Sequence, residues 1–247
     1  MTAKIATQKI SLNVSDGTSM NAYVARPAET GRFPGMLVLQ EAFGVNAHIR
    51  DITERIACEG FVAIAPELFH RTGAGFESGY DDFPACMPHI QALTEEGQVS
   101  DMRAAYDWLR AHDQVTPDRI ASIGFCMGGR ASFLADAHLP LQASVSFYGG
   151  GIAQQYLHRA PDMHAPILLF WGGLDGHILT EHRHAVVEAL TKAGKPFVNV
   201  LVSYADHGFF CDARASYNAA AAGLAWALTR QFLDTYVKGS AARASAG

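Results

Sequence analysis

A chain of 247 residues that is 49% hydrophobic and only 17% charged can bury a large core, and its length suits one sizeable α/β domain better than two small ones. A formal net charge of −5, with no lysine- or arginine-rich stripe, offers no field for a phosphate backbone and speaks against nucleic acid as a partner. No segment approaches the ~20 apolar residues of a membrane span, and the opening Met1-Thr2-Ala3-Lys4-Ile5 lacks the apolar core of a signal peptide, so a cytoplasmic protein with no membrane partner is expected.

In chain order, Lys9 to Val14 and Asn21 to Ala25 read as two strands joined through Ser15-Asp16-Gly17. Apolar runs then recur at Met36 to Leu39, Phe61 to Ala65, Ile120 to Ile123, Ala143 to Phe147, Ile167 to Trp171 and Val198 to Val202, and their continuity predicts strands buried on both faces. Between them, helical spacing covers His48 to Cys58, Val99 to His112, Met127 to Ala137, Glu181 to Ala193 and Tyr217 to Tyr236. This βαβ rhythm predicts an α/β protein with a mostly parallel central sheet of about eight strands, flanked by helices on both faces. The domain is expected to run over residues 1–237. Residues 67–98, rich in glycine, proline and aromatics, form a cap-like excursion that could overhang the carboxyl end of the sheet, and residues 238–247 read as a disordered tail.

The four cysteines, Cys58, Cys86, Cys126 and Cys211, are widely spaced with no CxxC pair, so free thiols are expected rather than a zinc knuckle or a disulfide framework. Cys126 sits in Gly124-Phe125-Cys126-Met127-Gly128, directly after a predicted strand and directly before a predicted helix. A strand turning sharply into a helix strains its middle residue and needs small neighbours, and it lifts that residue to the carboxyl end of the sheet beside the helix amides. Alone, such a cysteine is as well read as a small buried core residue. Its partners come from spacing: Asp175 lies four residues beyond the strand ending at Trp171, and His207 lies in the loop after the last strand. Taken singly, Asp175 could be a turn residue and His207 a surface histidine. Together, the order Cys126, Asp175, His207 is the nucleophile, acid, base order of α/β hydrolases.

Glu41 follows the strand ending at Leu39, within Gln40-Glu41-Ala42-Phe43-Gly44-Val45. With the cysteine elbow, Ala65-Pro66-Glu67-Leu68, Tyr148-Gly149, Gly172-Gly173-Leu174-Asp175 and Asp206-His207-Gly208-Phe209, this segment resembles the dienelactone hydrolase family of α/β hydrolases, from about residue 8 to residue 237. The resemblance implies a carboxymethylenebutenolidase-like hydrolase with Cys126 as nucleophile, His207 as base and Asp175 orienting it. It also implies that Glu41 stands close to the thiol and that the backbone amides of Ala42 and Met127 form the oxyanion hole. Phe43, Tyr148, Phe210 and Cys211 are candidate substrate-binding residues, although core packing accounts equally well for Phe209 and Phe210.

The chemistry can also be argued from the residues. A thiol is only a few per cent ionised at neutral pH, so an imidazole that takes its proton makes it a working nucleophile toward an ester or lactone carbonyl. A carboxylate close by disfavours the thiolate and protects it from oxidation until substrate alters the arrangement. No cofactor is implied. The histidines of His177-Ile178-Leu179-Thr180-Glu181-His182-Arg183-His184 lack a metal-binding spacing, and no metal is expected. The glycine-rich segments lack nucleotide-binding frames. A small ester or lactone is the expected partner of a monomer or homodimer. Other readings are a non-catalytic ligand receptor on the same fold, for which a broken triad would speak, and a redox-sensing thiol protein, which would want a resolving cysteine near Cys126 in sequence. One departure bears on substrate. Dienelactone-cleaving members of the family carry an arginine four residues after the catalytic histidine, where this chain has Cys211. Spacing places none of Arg71, Arg130 and Arg214 in the pocket, which makes dienelactone itself doubtful and neutral esters or lactones the expected substrates.

Overall fold

Residues 4–239 are described by a computed structural model, in which the apolar runs become eight strands of one sheet. The first two, β1 (Ile5–Asn13) and β2 (Ser19–Pro27), pair antiparallel, with Ile5 opposite Pro27 and Asn13 opposite Ser19. Asp16 closes their turn by accepting from the Thr18 amide at 3.0 Å, and Gly17 takes a φ of 85° that a side chain would disfavour. The others are β3 (Phe33–Leu39), β4 (Val62–Pro66), β5 (Val115–Phe125), β6 (Ala143–Phe147), β7 (Ile167–Gly172) and β8 (Phe197–Val202). Their spatial order is β1-β2-β4-β3-β5-β6-β7-β8; β2 pairs antiparallel to β4, and every later pairing is parallel.

The helices are α1 (Ala47–Cys58), α2 (Phe83–Gln91), α3 (Glu95–Ala111), α4 (Met127–His138), α5 (Ile152–Gln155), α6 (Thr180–Lys192) and α7 (Ala219–Leu233). Side-chain caps fix several starts: the amides of Ile49, Gly97 and Ala221 donate to Asn46, Thr94 and Asn218 at 3.2, 3.0 and 3.0 Å. Every residue of β4, β6 and β7 is buried, which a parallel sheet achieves only when helices cover both of its faces. This is the doubly covered sheet of an α/β-hydrolase fold. Inside it, Ser122 of β5 meets the hydroxyls of Ser132 in α4 at 2.7 Å and Ser144 in β6 at 3.3 Å, so these three buried hydroxyls satisfy one another.

Three expectations are corrected. The last strand, β8, lies at the sheet edge rather than between neighbours, leaving Val198 and Leu201 exposed. The excursion is shorter and more ordered than its composition suggested: α2 forms after an Asp82 cap despite Pro84 and Pro88, and α3 begins at Glu95 rather than Val99. In the predicted tail, Lys238 ends a π-helical turn (Asp234–Lys238), with Nζ 3.0 Å from Asp234 Oδ1; residues 240–247 lie outside those described.

Parallel register is what assembles the site. Leu39 pairs with Gly124, Phe125 with Phe147, and Gly172 with Val202, so β3, β5, β6, β7 and β8 end at a common rim. The residues just beyond those ends, Glu41, Cys126, Asp175 and His207, therefore emerge together.

Candidate active site

Cys126 joins β5 to α4 with φ 54° and ψ −116°, a conformation that costs on the order of 1–3 kcal/mol outside glycine. The glycines beside it are needed for space. A Cβ on Gly124 would strike the carbonyl of Gly128, and one on Gly128 would strike those of Leu39 and Gln40. The cysteine amide donates to Phe147 O at 3.0 Å, and its carbonyl accepts from Gly129 N at 3.0 Å, which fixes the half-buried sulfur at the rim.

Asp175 and His207 are brought together by the loops after β7 and β8. Gly173 N donates to Val202 O at 2.8 Å and Leu174 N to Ala205 O at 2.9 Å, lacing the two loops to each other. The Nδ1 atom of His207 then lies 2.7 Å from Asp175 Oδ2, while Asp175 Oδ1 accepts from the amides of His177 and Ile178 at 2.8 and 3.1 Å. Burial works against ionisation of Asp175, but the imidazole and the two amides outweigh it and hold the carboxyl below its usual range. Burial likewise opposes charge on His207. The neighbouring Cys126 sulfur and Asp175 carboxylate prevail and raise the imidazole to about 10.

Glu41 is fully buried, and a buried carboxylate requires partners. Tyr80 Oη donates to its Oε2 at 3.1 Å, and Arg214 Nη1 stands 3.4 Å from its Oε1. Asn46 Nδ2, 3.1 Å from the same Tyr80 oxygen, positions the hydroxyl from the start of α1. Gln40 ties the excursion to the end of β3 by accepting from Leu68 N at 3.0 Å. Burial and the Glu41 charge both push the Tyr80 phenol above its ordinary value, so it remains a donor to the carboxylate. The amides of Ala42 and Met127, expected at an oxyanion hole, enter no turn or cap hydrogen bond among the described residues.

The remaining expected residues separate. Phe43 packs edge-on to Tyr80 at 4.6 Å between ring centroids and lies beneath the Arg214 guanidinium at 5.7 Å. Tyr148, with φ 37°, places its ring 5.0 Å from that of His207, and its buried hydroxyl has no partner among the described residues. Phe210 packs in the aromatic core against Phe125, Phe147 and Trp226, away from the cavity. Cys211 is buried, and burial together with the Glu41 charge pushes its thiol up to about 11. His182 interacts with Gln154 at the start of α6 while His177 faces the His207 ring at 5.4 Å, so the histidine segment does not converge on one point.

A cavity of about 410 Å³ opens beside the site, lined in part by Tyr80, His177, His207, Arg214 and Ser216. Arg214 corrects the expectation from spacing. Hydrogen bonds from Cys211 N to Gly208 O and from Arg214 N to Cys211 O fold residues 208–214 back on themselves, and the guanidinium packs over Gly208. Arg71 instead pairs with Asp101 and Asp16, and the Arg130 side chain packs against Gly151. Tyr80 was not singled out from the sequence, because nothing in the excursion marks which of its aromatics turns inward. Among the described residues, the grouping able to hold a metal is Glu41, His48 and Cys211, buried and far apart in the chain.

Residues 20–237 match the model of the dienelactone hydrolase family. The chain belongs to the dienelactone hydrolase family. A Synechocystis protein named "Putative carboxymethylenebutenolidase" is 36% identical over 253 residues, covering 96% of this chain and 100% of that one. The carboxymethylenebutenolidase of Pseudomonas putida is 30% identical over 223 residues, 89% of this chain and 92% of its own. Among solved structures, a Klebsiella pneumoniae protein described as "Putative Dienelactone Hydrolase" superimposes with a TM-score of 0.86 at 31% identity, covering 94% of this chain and all of that chain. This dienelactone hydrolase relative is therefore a hydrolase with the α/β-hydrolase fold. Among its described residues, no helix is long and apolar enough to cross a membrane.

Proposed function

We propose that this protein hydrolyses small lactone or ester bonds through a Cys126-His207-Asp175 triad and a thioester acyl-enzyme. The observation that carries the reading is the 2.7 Å contact of His207 Nδ1 with Asp175 Oδ2 beside a cysteine held at positive φ. With Nδ1–H committed to Asp175, Nε2 is the nitrogen left to take the Cys126 proton. The thiolate adds to the substrate carbonyl, and the amides of Ala42 and Met127 hold the oxyanion. Collapse breaks the carbon–oxygen bond and forms the thioester, and the departing alkoxide or enolate takes a proton from His207. Water, deprotonated by the same imidazole, then attacks the thioester and frees the acid and the thiol. An amide is a poorer substrate, because its leaving amine needs fuller protonation than an enolate.

Arg214 carries the substrate preference. A guanidinium facing a cavity recognises a carboxylate by charge-assisted hydrogen bonds. Substrates bearing a free acid are thus favoured, which revises the preference for neutral esters inferred from Cys211. An acid bound there competes with Glu41 for the same cation and alters the field on Cys126, so substrate tunes the nucleophile. Glu41 restrains the resting thiol. A single domain over residues 1–237, acting in the cytoplasm as a monomer or homodimer, completes the proposal.

Turnover of a panel of small lactones, aryl esters and thioesters tests this reading. Cys126→Ala should abolish hydrolysis and Cys126→Ser should retain little, because serine ionises poorly and an oxygen does not reach where sulfur does. Full activity in Cys126→Ala would exclude the covalent route.

A further inference from the structure

Two buried side chains beside Glu41, His48 and Cys211, take no part in the proposed hydrolysis. A carboxylate oxygen of Glu41, a ring nitrogen of His48 and Cys211 Sγ all lie within 4.8 Å of one another. His48 follows the Asn46 cap at the start of α1 and packs edge-on to Phe125, with centroids 6.0 Å apart. It is 5% exposed, yet neither Nδ1 nor Nε2 has a hydrogen-bond partner among the described residues. A neutral imidazole carries one donor and one lone pair, and leaving both unmet in the interior is costly. A thiol, an imidazole with a free lone pair and a carboxylate are the donor types that together suit zinc.

We propose that Glu41, His48 and Cys211 form a binding site for a zinc ion, with the thiolate sulfur, an imidazole nitrogen and a carboxylate oxygen as its three protein ligands. Ligand atoms around tetrahedral zinc stand roughly 3.3 to 3.7 Å apart, so the three side chains need only close in by about an ångström. On binding, the Cys211 S–H bond breaks, its proton leaves to solvent, and the sulfur electron pair forms the zinc–sulfur bond as zinc sheds hydration water. The divalent charge is balanced by one thiolate and one carboxylate, which suits an interior position. A water fills the fourth place. Zinc draws Glu41 away from Arg214, whose Nη1 stands 3.4 Å from its carboxylate, and the ion reaches the site from the cavity bordered by Tyr80 and Arg214. Binding does not depend on whether Cys126 is the nucleophile.

The experiment is competition of the full chain against a chromophoric chelator for Zn²⁺, with cobalt substituted for a spectrum. The parent and Cys126→Ala should each take up one equivalent, and their cobalt forms should show a thiolate charge-transfer band in the near ultraviolet. His48→Gln and Cys211→Ala should bind at least about tenfold more weakly, and Cys211→Ala should lose the band. X-ray absorption of the parent zinc complex, which needs no substitution, should show one sulfur with nitrogen and oxygen neighbours. The proposal is overturned by a parent that takes up no zinc, by full affinity in His48→Gln and Cys211→Ala, by a coordination sphere without sulfur, or by loss of binding in Cys126→Ala. The last result would assign the ion to the catalytic thiol instead.

Discussion

Glu41 shows how individual residues divide the work at this site. Its carboxylate has no solvent exposure, and what makes it tolerable is the Tyr80 hydroxyl at 3.1 Å and the Arg214 guanidinium at 3.4 Å. Glu41→Gln removes the charge that opposes a thiolate, so iodoacetamide should alkylate resting Cys126 faster in the variant while turnover falls. Equal alkylation rates would mean that the two groups do not sense each other. Arg214 faces both Glu41 and the cavity, and Arg214→Gln should depress kcat/KM for a carboxylate-bearing lactone by about 2 kcal/mol, some thirtyfold, chiefly through KM. Its effect on the methyl ester should be small. A ratio of acid to ester unchanged by the substitution would remove Arg214 from substrate recognition. In the sequence, Cys126, Asp175, His207 and Glu41 could be read because each follows a strand-like apolar segment at short spacing. Arg214 could not: its approach depends on the Gly208 turn, whose φ of 79° and reversal of the chain are local geometry that spacing does not encode.

At the scale of elements, α4 carries the elbow at its start and a buried carboxyl near its end. Asp136 Oδ1 accepts from the amides of His164 and Ala165, both at 2.9 Å, anchoring the segment that leads into β7, while Oδ2 has no partner among the described residues. Burial pushes this carboxyl from 3.8 up to about 6, against the opposing hydrogen bonds. Because the folded pKa is raised, the protein gains most from this group below pH 4, loses that stability as pH rises from about 4 to 6, and gains nothing more to lose above it. Asp136→Asn keeps the acceptor and abolishes the titration. Urea unfolding from pH 4 to 7 should therefore show the parent losing about 3 kcal/mol relative to the variant. Parallel pH profiles would place the carboxyl in a less hostile environment than its burial suggests. Strand positions were legible because buried parallel strands are short, mainly apolar segments: Ile167–Gly172 is a continuous apolar run, and Ala143–Phe147 alternates serine with apolar residues at the strand period. The burial of β8 was misjudged for the same reason: an apolar run at the end of a sheet reads like one at its centre. The α2 helix went unread because Pro84 and Pro88 look like breakers, although Pro84 lies in the first turn, where its missing N–H costs nothing.

Across the whole molecule, catalysis is proposed to rest on register. Five parallel strands end together, and four loops that are remote in sequence deliver a carboxylate, a thiol, a second carboxylate and an imidazole to one rim. The order and spacing of the strands were enough to anticipate that convergence. The closure of the excursion was not, because it depends on one tyrosine reaching a buried carboxylate and one asparagine holding that tyrosine in place. Membership of the dienelactone hydrolase family fixes the kind of enzyme, and the identity of the covalent intermediate is the claim on which the proposed chemistry turns. Rapid-quench mass spectrometry during turnover of an activated aryl ester reads it most directly. An acyl group should appear within the dead time on the peptide containing Cys126, should decay at the rate of acid release, and should be absent in Cys126→Ala. Turnover at full rate with no acyl group on Cys126, or with the adduct on another residue, would contradict the account.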